Sequence, residues 1–113
     1  MPSQTFTIKR GDLLPPITIA ATYSDGTVID LTAATTPKFM MRLASAADLS
    51  TPKVNATATI VDGPGGTIRY SWAGTDTDTA GLYTAEFEVT LGGKKLTVPS
   101  ASKLTVRIVE DIA

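Results

Sequence analysis

Two pairs of carboxylates are the residues of this sequence whose type and spacing could do chemistry. Asp76 and Asp78 are separated by one residue, and so are Glu86 and Glu88. A carboxylic acid and a carboxylate beside a substrate are the general acid and base of glycoside hydrolysis. The aspartates, however, lie in the polar segment Ala73 to Gly81, and the glutamates alternate with apolar residues and so face away from a core. We therefore predict no catalytic residues and no enzyme activity.

Two stretches match ligand-binding loops only in part. DTDTAG, beginning at Asp76, opens like a calcium loop, but Phe87 stands at the twelfth position, where an EF-hand needs glutamate. LGGKKLT, beginning at Leu91, has Glu88 at the place of the first glycine of a phosphate loop. The chain also contains no histidine and no cysteine, the usual zinc ligands. We predict no metal and no cofactor.

Length and charge narrow the classes of partner. At 113 residues the chain predicts one domain, 1–113 with a polar tail 1–4, large enough for a hydrophobic core without disulfides. The net charge of −1 gives no electrostatic reason to bind nucleic acid or an anionic membrane. The polar start Met1-Pro2-Ser3-Gln4 is unlike a signal peptide, and the apolar runs are shorter than a membrane span.

Arg10-Gly11-Asp12 is a tripeptide that serves elsewhere as an adhesion signal. Here it follows the alternating residues Thr5 to Lys9, which predict a strand with Phe6 and Ile8 on its buried face. Gly11 permits a turn, and Pro15-Pro16 cannot donate hydrogen bonds to a sheet. We therefore predict a turn after the strand rather than an adhesion signal.

The same alternation recurs along the chain and predicts an all-β fold. A tight turn around Gly26 is expected to lead into a strand with Val28, Ile29 and Leu31, and a threonine-rich strand is expected from Val54 to Val61. Further turns are expected at DGPGGT (62–67) and at Gly92-Gly93, and an exposed loop is expected from Ala44 to Pro52. About seven to nine short strands follow, in a two-sheet antiparallel sandwich or a small barrel. The predicted inward residues are Ile17, Ile19, Ala21, Tyr23, Phe39, Met41, Leu43, Ile68, Tyr70, Trp72, Tyr83, Ala85, Phe87, Val89, Leu91, Leu104, Val106 and Ile108.

Gly81-Leu82-Tyr83 carries a more specific signal for a sandwich. In immunoglobulin-like folds a tyrosine near the start of the penultimate strand turns its hydroxyl back onto the chain a few residues upstream. Tyr83 has that position, with Gly81 two residues before it. Ala85 replaces the cysteine of antibody domains, so no disulfide accompanies this corner. An alternative is a core aromatic residue whose hydroxyl reaches solvent.

Longer stretches resemble one protein family. The order FTIKRGDLLPP, YSDGTVIDLTAATTPKFMMR, YSWAGTDTDTAGLYTAEFEV and LTVRIVED is similar to the amino-terminal domain of phage baseplate upper proteins. The resemblance covers residues Thr5 to Asp111 and contains no catalytic motif. It implies an immunoglobulin-like antiparallel β-sandwich of about seven to nine strands in a tailed-phage or prophage virion. In this pattern Gly11 belongs to a structural turn, which implies that Arg10 and Asp12 lie in solvent or pair across it.

The resemblance implies a non-enzymatic structural protein of the tail or baseplate that acts through protein–protein contacts. Its expected partners are other virion proteins and copies of itself, with assembly in the bacterial cytoplasm. Two alternatives stay open: a carbohydrate-binding module for host attachment, and a head decoration or head-to-tail connector protein. An exposed Trp72 beside Tyr70 would favour the carbohydrate-binding module, whereas Trp72 in the core would leave no aromatic platform.

An interface is predicted on one sheet face. The strand with Glu86 and Glu88 is expected between the strands with Arg42 and Arg107, so that outward charges of opposite sign form a cross-strand rung. Met40 alternates with buried neighbours and is a further candidate contact. A partner subunit that covers this face would take its orientation from the charges.

Overall fold

Nine β-strands form the protein in a computed structural model that describes residues 4–23, 25–44, 52–99 and 104–110. No helix occurs within these ranges, so the predicted all-β class is confirmed. The predicted loop from Ala44 to Pro52 lies largely outside the described residues. The strands are β1 Gln4–Lys9, β2 Ile17–Ala20, β3 Thr35–Leu43, β4 Val54–Thr57, β5 Thr59–Asp62, β6 Thr67–Tyr70, β7 Gly81–Leu91, β8 Lys94–Val98 and β9 Leu104–Val109.

The larger sheet has six strands and is organised around β7. Its order is β1-β9-β7-β3-β4, and β8 also pairs with β7. At 11 residues β7 is long enough to pair with β9 through Gly81–Ala85 and with β8 through Phe87–Leu91 along the same edge. The Gly92-Gly93 turn supplies the hairpin between β7 and β8, with positive φ angles at both glycines.

The smaller sheet has the order β2-β6-β5 and packs on the larger one. The two groups of strands match the two-sheet arrangement of an immunoglobulin-like sandwich. A strand predicted from Val54 to Val61 is divided in the structure. It breaks at buried Ala58, so that β4 pairs with β3 in one sheet and β5 pairs with β6 in the other. One segment of the sequence thereby connects both sheets.

The predicted antiparallel sandwich is confirmed, with one pair of strands that is parallel. β1 runs parallel to β9 over six residues. After β1 the chain passes through Pro15-Pro16 to β2 in the opposite sheet, so β1 has no hairpin partner of its own. A parallel neighbour is compatible with such a crossover, because parallel strands need a long connection between them.

The core contains the predicted inward residues with few exceptions. Phe39 lies at its centre, stacked on Tyr70 with ring centroids 4.7 Å apart and in edge contact with Trp72 at 5.5 Å. Trp72 is 4% exposed, which confirms its predicted place in the core. Tyr23 and Leu43 were predicted inward and are instead 45% and 44% exposed, because each lies at an end of the pattern, beyond the cover of the facing sheet.

The turn at Gly26 leads into a segment that was predicted as a strand and forms only a bridge. Gly26 has φ 90°, which glycine adopts without strain, and Asp25 accepts a bond from the Thr27 N–H at 2.9 Å. Thr22 and Val28 form an isolated bridge. Beyond it, the Ile29 N–H donates to the Ala21 carbonyl and the Leu31 N–H donates to the Gly63 carbonyl, without forming a strand. This irregular segment still buries Ile29 and Leu31.

Candidate functional site

The outer face of the six-stranded sheet carries most of the candidate interface residues. Met40 and Arg42 on β3, and Glu86 and Glu88 on β7, alternate with buried residues and therefore project away from the smaller sheet. Glu86 is exposed, and the other three are half-buried. We call these four residues, with Thr84, the β3–β7 face.

The register of β3 on β7 decides which of these side chains are neighbours. Met40 lies opposite Glu86, and Arg42 lies opposite Thr84. Glu88 lies opposite Lys38, and its carboxylate is also 3.5 Å from the Lys95 Nζ on β8. The charges of both signs are thus arranged around the central methionine.

The predicted rung required Arg107 to lie beside the glutamates, and the register places it elsewhere. The order of the three strands is as predicted, but Arg107 lies opposite Leu82 on β7 and opposite Thr7 on β1. Leu82 and Glu86 are four positions apart on β7, or about 13 Å along the strand. The alternation of a sequence gives the face on which a side chain lies, whereas its position along the neighbouring strand depends on register. Arg107 is therefore outward but remote from the β3–β7 face.

A shallow depression opens at the β3–β7 face. Its volume is about 260 Å³, and it is bounded by Met40, Met41, Arg42, Thr84, Ala85 and Glu86. Small-molecule sites are usually larger, enclosed and mostly apolar. A flexible methionine between charged groups is better suited to a protein side chain, because methionine adapts its shape to irregular surfaces.

The Asp76 carboxylate is hydrogen-bonded within the fold. Its carboxylate accepts hydrogen bonds from the Tyr70 hydroxyl and from the Ala73 N–H, the latter at 3.0 Å. Burial and the neighbouring Asp76 raise the pKa of Tyr70 above its ordinary value. The carboxylate thus fastens the polar loop 73–80 to the core, and both of these interactions are internal to the fold.

Asp78 has a different partner on the same loop. Its carboxylate lies 2.5 Å from the Lys53 Nζ and accepts a second bond from the Thr79 hydroxyl. The Lys53 bond is the main reason that the pKa of Asp78 lies below its ordinary value. Within the described ranges no three acidic side chains approach closely enough to hold a metal ion. Neither aspartate is arranged as an acid–base pair.

The Arg10-Gly11-Asp12 turn is bound to this loop through its backbone. The Gly11 N–H donates to the Thr77 carbonyl at 3.0 Å, and the Thr77 hydroxyl donates to the Asp12 carbonyl at 2.8 Å. Thr77 is itself buried. The Arg10 side chain pairs with Glu110 at 3.2 Å, and Gly11 has φ 87°. The tripeptide is part of the scaffold, and the partner of Arg10 is Glu110, next to β9, rather than a residue across the turn.

Gly81 and Tyr83, predicted as structural residues, lie at the start of β7, and Trp72 precedes the polar loop. Gly81 is the first residue of that strand, and the Tyr83 hydroxyl donates to the Thr79 carbonyl at 2.7 Å. This is the backward bond that the tyrosine pattern predicted. The indole Nε1 of Trp72 is buried and has no hydrogen-bond partner within the described residues. Trp72 therefore contributes to the core through its rings alone.

Three neighbours of the interface residues were not identified from the sequence. Lys38 alternates with Phe39, so its outward direction was already visible in the pattern. Lys95 follows from the hairpin, because a two-residue turn places Leu91 opposite Lys94 and fixes the pairs beyond it. The outward side of Thr84 also follows from alternation along β7, but its place opposite Arg42 needed the register of β3 on β7, which a sequence pattern does not give.

Comparison with known proteins agrees with this architecture. The family model described as the BppU N-terminal domain matches residues 3–112 of the chain. The chain belongs to this family. It is the amino-terminal domain family of phage baseplate upper proteins, which links the chain to a structural role in the phage tail or baseplate and thereby to the virion.

A solved structure supports the fold independently. The N-terminal domain of phage TP901-1 ORF48 superposes with a TM-score of 0.59 at 16% sequence identity. The match covers 98% of this chain and 100% of the other. No curated protein matches. In the described part of the chain no helix is long and apolar enough to cross a membrane.

Proposed function

We propose that this BppU-family domain is a non-enzymatic assembly module of a phage baseplate that docks on neighbouring virion proteins through its β3–β7 face. The observation that carries the proposal is the half-buried Met40 at the centre of this face, with Arg42 and Glu86 beside it and the depression between them. Interfaces combine a desolvated apolar centre with a polar rim that orients the partner.

The carboxylates support a structural role over catalysis. Asp76 and Asp78 are bound within the fold, and Glu88 is paired with a lysine. A general acid–base pair needs two groups directed at one substrate position, and these carboxylates have internal partners. The proposed mechanism is therefore rigid presentation of a surface, with the domain incorporated during virion assembly in the bacterial cytoplasm.

The two alternative functions differ in their support. The carbohydrate-binding alternative depended on an exposed aromatic platform, and Trp72 and Tyr70 are 4% and 5% exposed. A head decoration or connector protein would also use a docking face, but membership in a baseplate family favours the tail. Copies of the chain related by rotational symmetry are the expected arrangement in such an assembly.

Two matched threonine variants test the β3–β7 face. Thr84 and Thr59 are both exposed, and each lies opposite an arginine, Arg42 in the large sheet and Arg69 in the small one. Thr84→Glu adds bulk and charge to the depression, whereas Thr59→Glu makes the same change on the other sheet. Because each new carboxylate faces an arginine, both variants should fold.

The experiment measures incorporation into particles. Phage particles are produced with the wild-type chain or either variant, and an antibody against the chain is located by electron microscopy. We expect label at the distal tail and a loss of about tenfold or more in bound chain for Thr84→Glu, with Thr59→Glu unchanged. Equal incorporation of both variants would overturn the proposed face, and label at the head or collar would overturn the baseplate role.

A further inference from the structure

The free edge of β1 is a second surface, distinct from the β3–β7 face. Among the described strands, β1 is the outermost of the large sheet and pairs with β9 along one side only. We propose that this edge pairs with β1 of a second copy of the chain, so that the two large sheets continue across a two-fold axis. The proposal involves different atoms from the proposed docking face and does not depend on it.

The hydrogen bonds to β9 show which backbone groups are available. The Arg10 N–H donates to the Val109 carbonyl, so the N–H groups of residues 8, 6 and 4 point toward β9 as well, because direction alternates along a strand. The N–H and C=O groups of Thr5, Thr7 and Lys9 therefore point to the open side. Within the described residues, the one backbone bond formed there is from the Asp12 N–H to the Lys9 carbonyl.

This row of groups is self-complementary. An antiparallel copy of β1 centred on Thr7 places Thr7 against Thr7 and Thr5 against Lys9, which are the residues with outward N–H and C=O groups. The Thr7 pair can exchange two hydrogen bonds, as in an ordinary antiparallel ladder. In each Thr5–Lys9 pair the Lys9 N–H can donate to the Thr5 carbonyl, while the Lys9 carbonyl already accepts the Asp12 N–H. No two like charges are opposed in this register, and facing threonines are a favourable cross-strand pair.

The side chains are consistent with the same register. On the inner side Phe6 of the copy would lie opposite Ile8. Beside Ile8 the structure has a depression of about 270 Å³ that is lined also by Leu14, Pro15 and Val109. Leu14 is 76% exposed, the highest value among the exposed large apolar residues of the described chain. An added strand that carries a phenylalanine would cover this apolar surface, and such pockets give strand addition its specificity.

The other edges of the sandwich are less suited to pairing. β2, β4 and β5 have four residues each, and the β5 ladder is irregular between Ile60 and Asp62. β8 begins with two lysines, a common protection of an edge. β1 has six residues in unbroken register with β9. Among the described edge strands β1 is therefore the longest and the most regular template.

A pair of proline variants tests the edge. Thr7→Pro removes an outward N–H and places a ring on the open side while every bond to β9 is kept, and proline is tolerated on edge strands. Thr18→Pro is the matched control: the Ala21 N–H donates to Gly66 on the β6 side, so the Thr18 N–H points away from β6 on the edge of the other sheet. Both variants lose an N–H group that donates no hydrogen bond within the described residues.

Association is measured by sedimentation equilibrium over a wide concentration range. We expect the wild-type chain and Thr18→Pro to dimerise reversibly, and Thr7→Pro to dimerise about tenfold more weakly or not at all. A wild-type chain that stays monomeric at millimolar concentration would overturn the proposal. A dimer that Thr7→Pro leaves unchanged would also overturn it.

Amide hydrogen exchange on the wild-type chain gives a readout that does not depend on a variant's folding. The amides of Thr5, Thr7 and Lys9 should become protected as the concentration rises, while the outward amides of Thr18 and Ala20 should not. Protection that requires another baseplate protein, or no protection at all, would contradict pairing between two copies. The β3–β7 variant Thr84→Glu should dimerise normally, so failure of one proposal leaves the other intact.

Discussion

Two pairs of carboxylates have the same spacing and different surroundings: Asp76 and Asp78 in a loop, and Glu86 and Glu88 on a strand. The Asp76 carboxylate binds a buried tyrosine, and Asp78 is fastened to Lys53. The glutamates stand on the outer face of β7, where Glu86 is exposed. Two carboxylates with the same spacing can thus be bound to a loop and the core in one region and stand on an outer sheet face in another. Their surroundings, and not their spacing, determine the difference.

The largest effect on stability is expected for Asp76. In Asp76→Ala the Tyr70 hydroxyl and the Ala73 N–H both lose their acceptor. A buried donor without an acceptor destabilises the folded state by more than an average hydrogen bond stabilises it. The free energy of unfolding should therefore fall by about 2 kcal/mol. Urea denaturation measures this loss.

Asp78→Ala is the matched control for this variant. Its pair with Lys53 is largely exposed to solvent, with 49% of the Asp78 side chain accessible. The control should therefore destabilise the domain less than Asp76→Ala, and its effect should diminish as salt screens the pair. If the two variants lost the same free energy, the two aspartates would not differ as described.

A smaller effect is expected for Tyr70→Phe, and it should depend on pH. Removing the hydroxyl should cost about 1 kcal/mol at neutral pH. In the wild-type domain burial and Asp76 raise the pKa of Tyr70, so the unfolded chain releases this proton before the folded chain does. The stabilisation from Tyr70 is complete below about pH 10 and is lost as the pH rises toward the folded pKa.

The measurement is urea denaturation of wild type and Tyr70→Phe between about pH 9 and 11. Wild-type stability should fall across this range, and the fall should be smaller in the variant. Burial also raises the pKa of Tyr83, so part of the decline should persist in Tyr70→Phe. Parallel curves for the two proteins would mean that the proton on Tyr70 is not linked to folding.

The smallest effect on stability is expected for the glutamates. Glu88→Gln removes the ion pair with Lys95, whose side chain is 68% exposed. Pairs of this kind are worth between zero and about 1 kcal/mol, so the melting temperature should change little. Lys95→Ala should give the same small change. A large loss in either variant would assign this pair to the fold and weaken the contrast with Asp76.

Most of the fold could be predicted because alternation is a local property. Phe39, Met41, Tyr83 and Phe87 are buried as their period of two required, and the turn residues lie at the strand ends. The division of the Val54–Val61 strand could not be predicted, because the alternating pattern passes through Ala58 without interruption. β4 pairs with β3 and β5 pairs with β6, so the break between them depends on partner strands and not on the local pattern.

The candidate site was predictable in its faces and not in its contacts. The outward direction of Met40, Arg42 and Glu86 follows from their buried neighbours. The same alternation did not predict that Arg107 lies opposite Leu82, away from the glutamates. Residue Thr36, at φ 47°, lies within the β-bulge that sets the register of β3, and threonine gives little sign of such a conformation.

The sequence by itself determined an all-β chain, the side of each strand that is buried, the glycine turns and the absence of histidine and cysteine ligands. Each of these follows from residue type or from a repeat of two, which neighbouring residues specify among themselves. Only the tertiary structure decided that β1 runs parallel to β9, that Glu88 meets Lys95, and that Thr77 joins the first turn to the loop before β7. These contacts join residues from different strands and loops. Strands pair through backbone N–H and C=O groups that every residue has, so residue type alone does not specify which strands pair or in which register.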